Sequence, residues 1–184
     1  NQLDGVSFAC DALYIAEAFT EVGLEAAKRA KAHGAKVFFA PGGVMCGFGL
    51  EELLPLMQEA DTVLLSEPEL ETLTGKTEAQ PGADALFASG AKAIVLTQGA
   101  RGASLFQPGG IVSTPASNAT VVDTTGAGDA FVGALAVAVA EEIDLVSAVK
   151  LANATGALAC TTPGAQAAMP RRDAVVRFMH EQGL

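Results

Sequence analysis

The first two thirds of the chain alternate short apolar runs with segments whose apolar residues recur every three or four positions. The short runs have the size of buried strands, and the longer segments have the period of helices that bury one face. This alternation predicts a mainly parallel sheet with helices on both faces. The predicted strands are Ala12–Ile15, Lys36–Ala40, Thr62–Leu65, Ala93–Thr97, Ser104–Phe106 and Ile111–Ser113, and the predicted helices are Glu21–His33, Glu51–Glu59, Pro68–Leu73 and Pro81–Ser89.

The last third of the chain has a helical pattern throughout. Phe131 and Leu135 share one face of a predicted helix, and Leu145–Ala159 is apolar nearly all round, which predicts a buried helix. A final amphipathic helix is predicted over Arg171–His180. Because no repeat, linker or second boundary interrupts the pattern, residues 1–184 are interpreted as a single domain.

The composition narrows the classes of function. Half of the 184 residues are apolar, so the chain can bury a core of ordinary size. The net charge of −10 argues against a nucleic-acid or anionic-membrane surface, since both need clustered Lys and Arg. The apolar stretch Leu151–Pro170 is interrupted by Gly156 and Pro163 before it reaches a membrane-spanning length. We therefore expect no nucleic-acid partner and no membrane segment.

Cysteine usage and the start of the chain bear on its setting. Cys10, Cys46 and Cys160 are odd in number and widely spaced, without the paired spacing of a zinc site or a disulfide framework. A reducing cytoplasm is therefore the expected compartment. Residues Asn1–Gly5 include neither an initiator Met nor the opening of a signal peptide, so we expect the chain to begin within a longer protein.

The candidate chemistry is in the segment Asp123–Asp129, which lies between a predicted apolar strand ending at Val122 and a long predicted helix. Its small residues Gly126, Ala127 and Gly128 let the backbone approach a ligand closely, and a helix start presents unpaired N–H groups to an anion. Asp129 falls in the first turn, where its carboxylate can receive the proton of an attacking hydroxyl. The segment therefore predicts a phosphate site with a general base.

A structural alternative explains the same residues. Asp123 or Thr125 can cap the helix, Asp129 can complement the helix dipole, and the glycines can form a tight turn. For a lone glycine-rich turn this alternative is favoured. The whole string Asp-Thr-Thr-Gly-Ala-Gly-Asp, however, resembles the C-terminal signature of the ribokinase-like carbohydrate kinases, also called the phosphofructokinase B type family. That resemblance favours the phosphate site.

Two further segments are similar to this family in the order that it requires. Thr97–Gly102 resembles the family's Thr-x-Gly-x-x-Gly turn, although two glycines after a strand more often only turn the chain. The run Leu151–Gln166 resembles the segment that lines the adenine pocket and then forms a monovalent-cation loop. For Asn153 in that run, a hydrogen-bonded polar group within a helix is the structural alternative.

The resemblance implies a three-layer α/β/α fold with a mainly parallel central sheet, from which the family's N-terminal part and lid are missing. It also implies roles for single residues. It makes Asp129 the catalytic base and implies an anion hole at Gly126, Ala127 and Gly128. It also implies that Asp123, with backbone oxygens near Thr125 and Ala159, is a candidate potassium site. The residues that it brings near ATP are Thr97, Gly99, Gly102, Asn153 and Thr125.

Several positions depart from the family pattern. Ser66 stands where the family has the Asn of an Asn-x-x-Glu motif, while Glu69 of that motif is kept. The resemblance implies that Glu69 acts on Mg²⁺ through water, because Mg²⁺ prefers oxygen ligands and retains waters. A solvated acidic helix start is the alternative for Glu69. Ala40 stands where many members have Asp, and Ala168 stands where a hydroxyl helps to hold K⁺, which weakens the cation site.

The family's opening region, with its Gly-Gly acceptor signature and lid strands, has no counterpart in this chain. The resemblance implies an enzyme that uses ATP and Mg²⁺, with K⁺ left open, to phosphorylate a hydroxyl of a sugar or sugar-like acceptor. Ribose, fructose, a keto-deoxy sugar acid and a nucleoside all remain open as acceptors. A homodimer of the full-length protein is likewise left open.

Two other classes of function were weighed. A non-catalytic nucleotide-binding fragment is the alternative to the kinase, because the acceptor region is missing and Ser66 and Ala168 depart from the family. A Rossmann-type dehydrogenase is disfavoured, because no Gly-x-Gly-x-x-Gly turn follows the first predicted strand.

Overall fold

The structure, a computed structural model, describes residues 3–184. Asn1 and Gln2, on which the expectation about the chain start partly rests, lie outside the described residues. The strands are β1 (Ala12–Ala16), β2 (Lys36–Ala40), β3 (Thr62–Ser66), β4 (Ile94–Thr97), β5 (Ala103–Gln107) and β6 (Gly110–Thr114). The α-helices are α1 (Thr20–Ala32), α2 (Gly42–Cys46), α3 (Leu50–Glu59), α4 (Glu67–Thr74), α5 (Ala79–Ala88), α6 (Ala127–Ala140), α7 (Leu145–Ala159) and α8 (Arg172–Gln182).

The six strands form one sheet in the order of the sequence, from β1 to β6. The first four strands pair in parallel, and the helices α1 to α5 lie in the crossovers between them. Only Pro108 and Gly109 separate β5 from β6, and a connection of two residues joins antiparallel strands. The predicted α/β fold class and the mainly parallel sheet are confirmed.

The central strands β2, β3 and β4 are buried on both faces. Ile15, Phe39 and Leu65 belong to a core cluster that also contains residues of α1 to α5. Phe38 and Leu64, which precede Phe39 and Leu65 and so point to the opposite face, are buried as well. Parallel strands that are buried on both faces have continuous apolar sequences, which is why the short apolar runs predicted them.

Contacts divide the described residues into two compact units. The first unit holds residues 3–98 and 104–112, and the second holds residues 99–103 and 113–184. In the second unit α6 packs against α7, and α7 packs against α8. Gly156 of α7 allows a close approach, because a Cβ there would lie 3.2 Å from the carbonyl oxygen of Ala127. The interpretation of residues 1–184 as a single domain stays a prediction.

The structure differs from the predicted elements at shifted element ends, in one short helix, in two 3₁₀ turns at Gly99–Arg101 and Gln166–Ala168, and in one predicted strand. The prediction of an apolar strand ending at Val122 was wrong, because Val121 and Val122 are exposed and the Val122 amide donates to the Cys160 carbonyl at 2.8 Å rather than to a neighbouring strand. The helix α2 was not predicted, because Gly42–Cys46 is too short to carry a helical period. The helix α4 begins at Glu67 rather than at Pro68, because Ser66 caps it. Among residues 3–184, no helix has both the length and the apolar character needed to cross a membrane.

Candidate active site

The segment that carries the candidate chemistry ends in a left-handed glycine. Gly126 precedes α6 with φ 77° and ψ 0°, a backbone conformation that side chains disfavour, and its carbonyl accepts from the Ala130 amide at 2.9 Å. The helix therefore begins directly after Gly126. Its first turn includes Gly128 and Asp129, whose N–H groups have no acceptor one turn back within the helix. These amides can bind an anion, as predicted for a phosphate site.

The side chain of Asp129 lies on the surface of the first turn of α6. Asp129 and Gly128 are both exposed. A Cβ built on Gly128 meets no atom of the described chain within 4 Å, so the space beside its backbone is open. An exposed carboxylate thus stands next to helix-start amides. This arrangement suits proton acceptance beside a bound phosphate.

The carboxylate of Asp123 binds two backbone amides. Its Oδ1 accepts from the Thr125 amide at 2.9 Å, and its Oδ2 accepts from the Gly164 amide at 2.8 Å. The Gly164 amide, followed by Thr125, lowers the pKa of Asp123 to about 2. Asp123 is therefore a carboxylate that fixes a loop. A role as a potassium ligand would add to this observed role and stays a prediction.

Residues 160–169 pack against the segment before α6. The carbonyl of Cys160 accepts from the amides of Val122 and Asp123, at 2.8 and 3.2 Å. A Cβ on Gly126 would lie 3.1 Å from the Cα of Ala165. The loop before α6 thus packs against the segment that the sequence predicted as a monovalent-cation loop. A direct contact between these two segments was not predicted.

The fit to the implied metals is incomplete. Within residues 3–184, no cluster of three or more His, Cys, Asp or Glu side chains forms a metal site. Ala168 is buried and contributes no hydroxyl. A potassium ion would therefore rely on backbone oxygens and on Asp123, whose two oxygens already accept amide hydrogens.

Two more of the predicted nucleotide residues hold one backbone segment in place. Gly102 has φ 94°, and a Cβ there would lie 2.6 Å from the amide nitrogen of Ala116. Asn153 is buried in α7, and its Nδ2 donates to the Pro115 carbonyl at 2.7 Å. The side-chain amide of Asn153 is thus a hydrogen-bonded polar group within a helix, as the structural alternative states. A role of either residue at the nucleotide stays a prediction. Gly99, which accepts from the Gly102 amide at 2.9 Å, is exposed.

In the first unit, the carboxyl ends of β3 and β4 bring two predicted residues near each other. Ser66 is in register with Thr97, whose Oγ1 donates to the Leu65 carbonyl at 3.3 Å. Glu69 forms a capping box with Ser66, because its Oε2 accepts from the Ser66 amide at 2.7 Å. The acidic helix start that was the alternative for Glu69 is therefore present. A contribution of Glu69 to Mg²⁺ stays a prediction.

A chain of hydrogen bonds lies beside this capping box. The Gln98 side chain donates to Glu67 Oε1 at 3.0 Å and accepts from the Ser104 hydroxyl at 2.8 Å. Gln98 therefore ties the end of β4 to the start of α4 and to β5. The sequence analysis did not single out Gln98, because a glutamine within a turn carries no pattern of its own.

Glu17 is a candidate residue that the sequence analysis missed. It follows β1 with φ 41°, a left-handed backbone conformation. This conformation is unfavourable in free energy for any residue other than glycine. Its side chain covers Gly42, where a Cβ would lie 2.5 Å from Glu17 Cγ. Ligands of open parallel sheets bind outside the carboxyl ends of the strands, and Glu17 lies at such an end. The only sequence signal was an acidic residue after a strand.

The predicted residues thus fall into two groups. Glu69 and Thr97 belong to the first unit, at the carboxyl edge of the sheet. The second unit holds the remaining ones, which are Gly99, Gly102, Asp123, Thr125, Gly126, Ala127, Gly128, Asp129 and Asn153. Within that unit, Asp123, Thr125 and Gly126 to Asp129 form one continuous loop and helix start.

The fold is that of an α/β protein with a mainly parallel sheet. Residues 8–172 match the family described as pfkB family carbohydrate kinase. This chain belongs to that family, and the resemblance noted in the sequence is confirmed.

Relatives and solved structures agree with the family. The chain is 35% identical over 167 residues to a fructokinase of Vibrio alginolyticus, which covers 84% of this chain, and 33% identical over 174 residues to an aminoimidazole riboside kinase of Salmonella typhimurium, which covers 89%. It spans 54% of the length of each. The structure of Arabidopsis thaliana ribokinase complexed with ribose and ATP superposes with a TM-score of 0.85 at 28% identity, over 92% of this chain and 55% of that one.

Proposed function

We propose that this chain provides the ATP-binding and catalytic portion of a kinase that transfers the γ-phosphoryl of ATP to a hydroxyl of a sugar or sugar-like acceptor. The observation that carries the proposal is the exposed Asp129 carboxylate beside the helix-start amides of α6. Family membership supports it, and so does the similarity to a ribokinase structure that contains ribose and ATP.

In this proposal Asp129 is the general base. It takes the proton from the acceptor hydroxyl as that oxygen forms a bond to the γ-phosphorus, and the bond from phosphorus to the β,γ-bridging oxygen breaks to release ADP. The amides at Gly126, Ala127 and Gly128 stabilise the charge on the transferring group, and the Ala127 amide does so in exchange for its present bond to the Thr124 carbonyl, at 3.2 Å. The absence of a side chain on Gly128 leaves room for the phosphate to approach the backbone.

The nucleotide contacts are proposed from the family resemblance. We assign ATP contacts to Thr97, Gly99, Gly102, Asn153 and Thr125. The observed bonds of Asn153 to Pro115 and of Gly102 to Gly99 support a positioning role, in which these residues fix the backbone that meets ATP. When Mg²⁺ is bound it neutralises charge on the phosphates, and Glu69 would orient its waters. The carboxylate of Asp123 would be the side-chain ligand of a K⁺ site.

The acceptor is proposed as a class only. The relatives carry the names fructokinase, aminoimidazole riboside kinase and ribokinase, which share a polyhydroxylated five-carbon or six-carbon sugar unit. Glu17 is the group of this chain that we assign to the acceptor side. Its strained backbone at the carboxyl end of β1 supports that assignment.

The setting of the protein is also a proposal. Cys10, Cys46 and Cys160 are all free thiols, and burial, followed by the charge of Glu69, raises the pKa of Cys46 to about 12. Unpaired thiols support a reducing cytoplasm. A homodimer of the full-length protein stays a prediction.

A non-catalytic nucleotide-binding function is the second candidate. It is favoured by two departures from the family pattern, Ser66 in place of Asn and the buried Ala168 in place of a residue with a hydroxyl. Calorimetric titration of the chain with ATP and Mg²⁺, with and without a panel of sugars, separates the candidates. The kinase predicts that ADP and a phosphorylated sugar appear when the full-length protein replaces this chain. If both proteins bind ATP and neither forms product, the non-catalytic nucleotide-binding function is favoured. If neither protein binds ATP, both candidate functions are contradicted.

A further inference from the structure

The segment after α7 meets the loop before α6 at three points. The Gly164 amide donates to Asp123 Oδ2 at 2.8 Å. A Cβ built on Gly126 would lie 3.1 Å from the Cα of Ala165 and 3.2 Å from the Cε of Met169. The first two contacts involve backbone atoms of the segment, whereas the third is made by the end of a long side chain. Met169 therefore makes the contact that a substitution can remove without changing the backbone.

Gly126 is the residue at which this loop can change shape most easily. A glycine can leave the left-handed region at little cost, because it has no Cβ to restrict its backbone. At φ 77° the Gly126 carbonyl accepts from the Ala130 amide at 2.9 Å, and this bond begins α6. A change in the Gly126 backbone would therefore turn the amides of Ala127 and Gly128, which belong to the proposed anion hole.

The Met169 side chain occupies the side of Gly126 on which a Cβ would project. Met169 follows the short turn Gln166–Ala168, and its amide donates to the Gln166 carbonyl at 3.3 Å. Ala168, the last residue of that turn, is buried, so Met169 leaves the turn from an anchored position. An unbranched thioether side chain adapts to an irregular gap beside a backbone. Because Met169 is itself 38% exposed, its replacement should change the overall stability little.

We propose that Met169 is a positioning residue of the phosphate site, which keeps the Gly126 backbone left-handed and thereby fixes the direction of the amides that follow. This inference rests on the proposed function of the loop before α6 as an anion hole. The Met169 methyl group fills the space beside Gly126, and an empty space there would forfeit its dispersion contacts and let the backbone move. Met169 acts through Gly126, so an apolar side chain of similar volume should replace it.

The first measurement is the affinity of the full-length protein for ATP with Mg²⁺. Met169→Ala leaves a gap beside Gly126, so we expect the dissociation constant to rise about fivefold. Met169→Leu keeps most of the apolar volume and should stay within about twofold of wild type. Val176→Ala, which shortens an exposed apolar side chain of α8, is the matched control and should leave the affinity unchanged. Equal affinities in Met169→Ala and in a wild type that binds ATP overturn the proposal.

Hydrogen exchange without nucleotide separates a failure of this inference from a failure of the proposed function. The Ala130 amide reports whether α6 begins at Gly126, because it donates to the Gly126 carbonyl. In peptides covering residues 127–131, exchange should be at least about threefold faster in Met169→Ala than in wild type, and Met169→Leu should restore it. Unchanged exchange in Met169→Ala overturns the positioning role whether or not ATP binds. Faster exchange in a protein whose wild type binds no ATP supports the positioning role and contradicts the proposed function alone. If Met169→Ala does not fold, Met169→Val replaces it with the same outcomes.

Discussion

The side chain of Asp123 holds the backbone amide of Gly164, a residue 41 positions further along the chain, at a distance of 2.8 Å. Through its second oxygen the same carboxylate holds the Thr125 amide, directly before the glycine-rich helix start. One ionised group therefore joins the glycine-rich loop before α6 to the loop after α7. The geometry of the candidate anion hole depends on this bridge.

Replacing Asp123 by Asn should loosen the bridge. An Asn side chain offers one acceptor oxygen and turns an NH₂ group toward the other amide, so one of the two bonds is lost. We expect the Gly164 amide to exchange with deuterium at least about tenfold faster in Asp123→Asn than in wild type. Hydrogen-exchange mass spectrometry of peptides covering residues 160–168 measures this, with α1 as an internal reference. Unchanged exchange there would show that the bridge does not hold the loop.

The same variant gives a pH dependence. Because the folded-state pKa of Asp123 is about 2, below its ordinary value of 3.8, the stability that its ionised form contributes is present above about pH 4. That contribution is lost as the pH falls toward 2. The denaturant midpoints of wild type and Asp123→Asn should therefore differ at near-neutral pH and converge in acid. A difference that grows in acid would contradict the direction of the pKa shift.

Two glycines of the same loop should respond in opposite ways to alanine. Gly126→Ala places a Cβ in a left-handed conformation against Ala165, which should cost about 1–2 kcal/mol of stability. The Cβ of Gly128→Ala meets no neighbouring atom within 4 Å and lies in a helical turn, where alanine is the better helix former, so stability should rise by up to about 1 kcal/mol.

Nucleotide affinity separates these two variants further. If the phosphate approaches the Gly128 backbone, Gly128→Ala should weaken binding of ATP with Mg²⁺ by about tenfold, or about 1.4 kcal/mol. Calorimetric titration checks the affinity, and chemical unfolding checks the stability. An unchanged affinity for ATP in Gly128→Ala would contradict the placement of the phosphate beside the Gly128 backbone.

Asn153 should act through the backbone that it holds. Asn153→Leu removes the bond to the Pro115 carbonyl and should cost about 1 kcal/mol of stability, the usual net worth of such a bond. Thr155→Val is the matched control in the same helix, since the Thr155 hydroxyl donates only to the Leu151 carbonyl of its own helix. Equal unfolding midpoints in the two variants would contradict the positioning role of Asn153.

Glu69 allows its structural and metal roles to be separated. Gln can replace Glu in a capping box, so Glu69→Gln should keep the stability of wild type, whereas Glu69→Ala should lose about 0.3–1.5 kcal/mol. If Glu69 orients the waters of Mg²⁺, both variants should need more Mg²⁺ for ATP binding. A Mg²⁺ requirement that changes only in Glu69→Ala would assign Glu69 to the helix start alone.

Much of this fold could be predicted from the chain because its central strands are buried on both faces. Continuous apolar runs such as Thr62–Ser66 mark such strands, and glycine after a helical run marks the helix ends. The start of α6 was likewise predictable, since a left-handed residue before a helix is almost always glycine, and Gly126 is one.

What could not be predicted depends on contacts between distant residues. The bond from Asp123 to Gly164 and the bond from Asn153 to Pro115 join segments whose proximity no local pattern encodes. The strained backbone of Glu17 and the bridging side chain of Gln98 are set by tertiary packing in the same way. Local periodicity reports burial, and it contains no information about which polar groups will meet.

The most direct test of the central claim is the rate of phosphoryl transfer by the full-length protein that carries Asp129→Asn. Asn is close to Asp in shape but cannot accept the hydroxyl proton, so kcat should fall by about 10²–10⁴-fold while the affinity for ATP with Mg²⁺ stays within about threefold of wild type. Phosphoryl transfer at a near wild-type rate would contradict the assignment of Asp129 as the catalytic base.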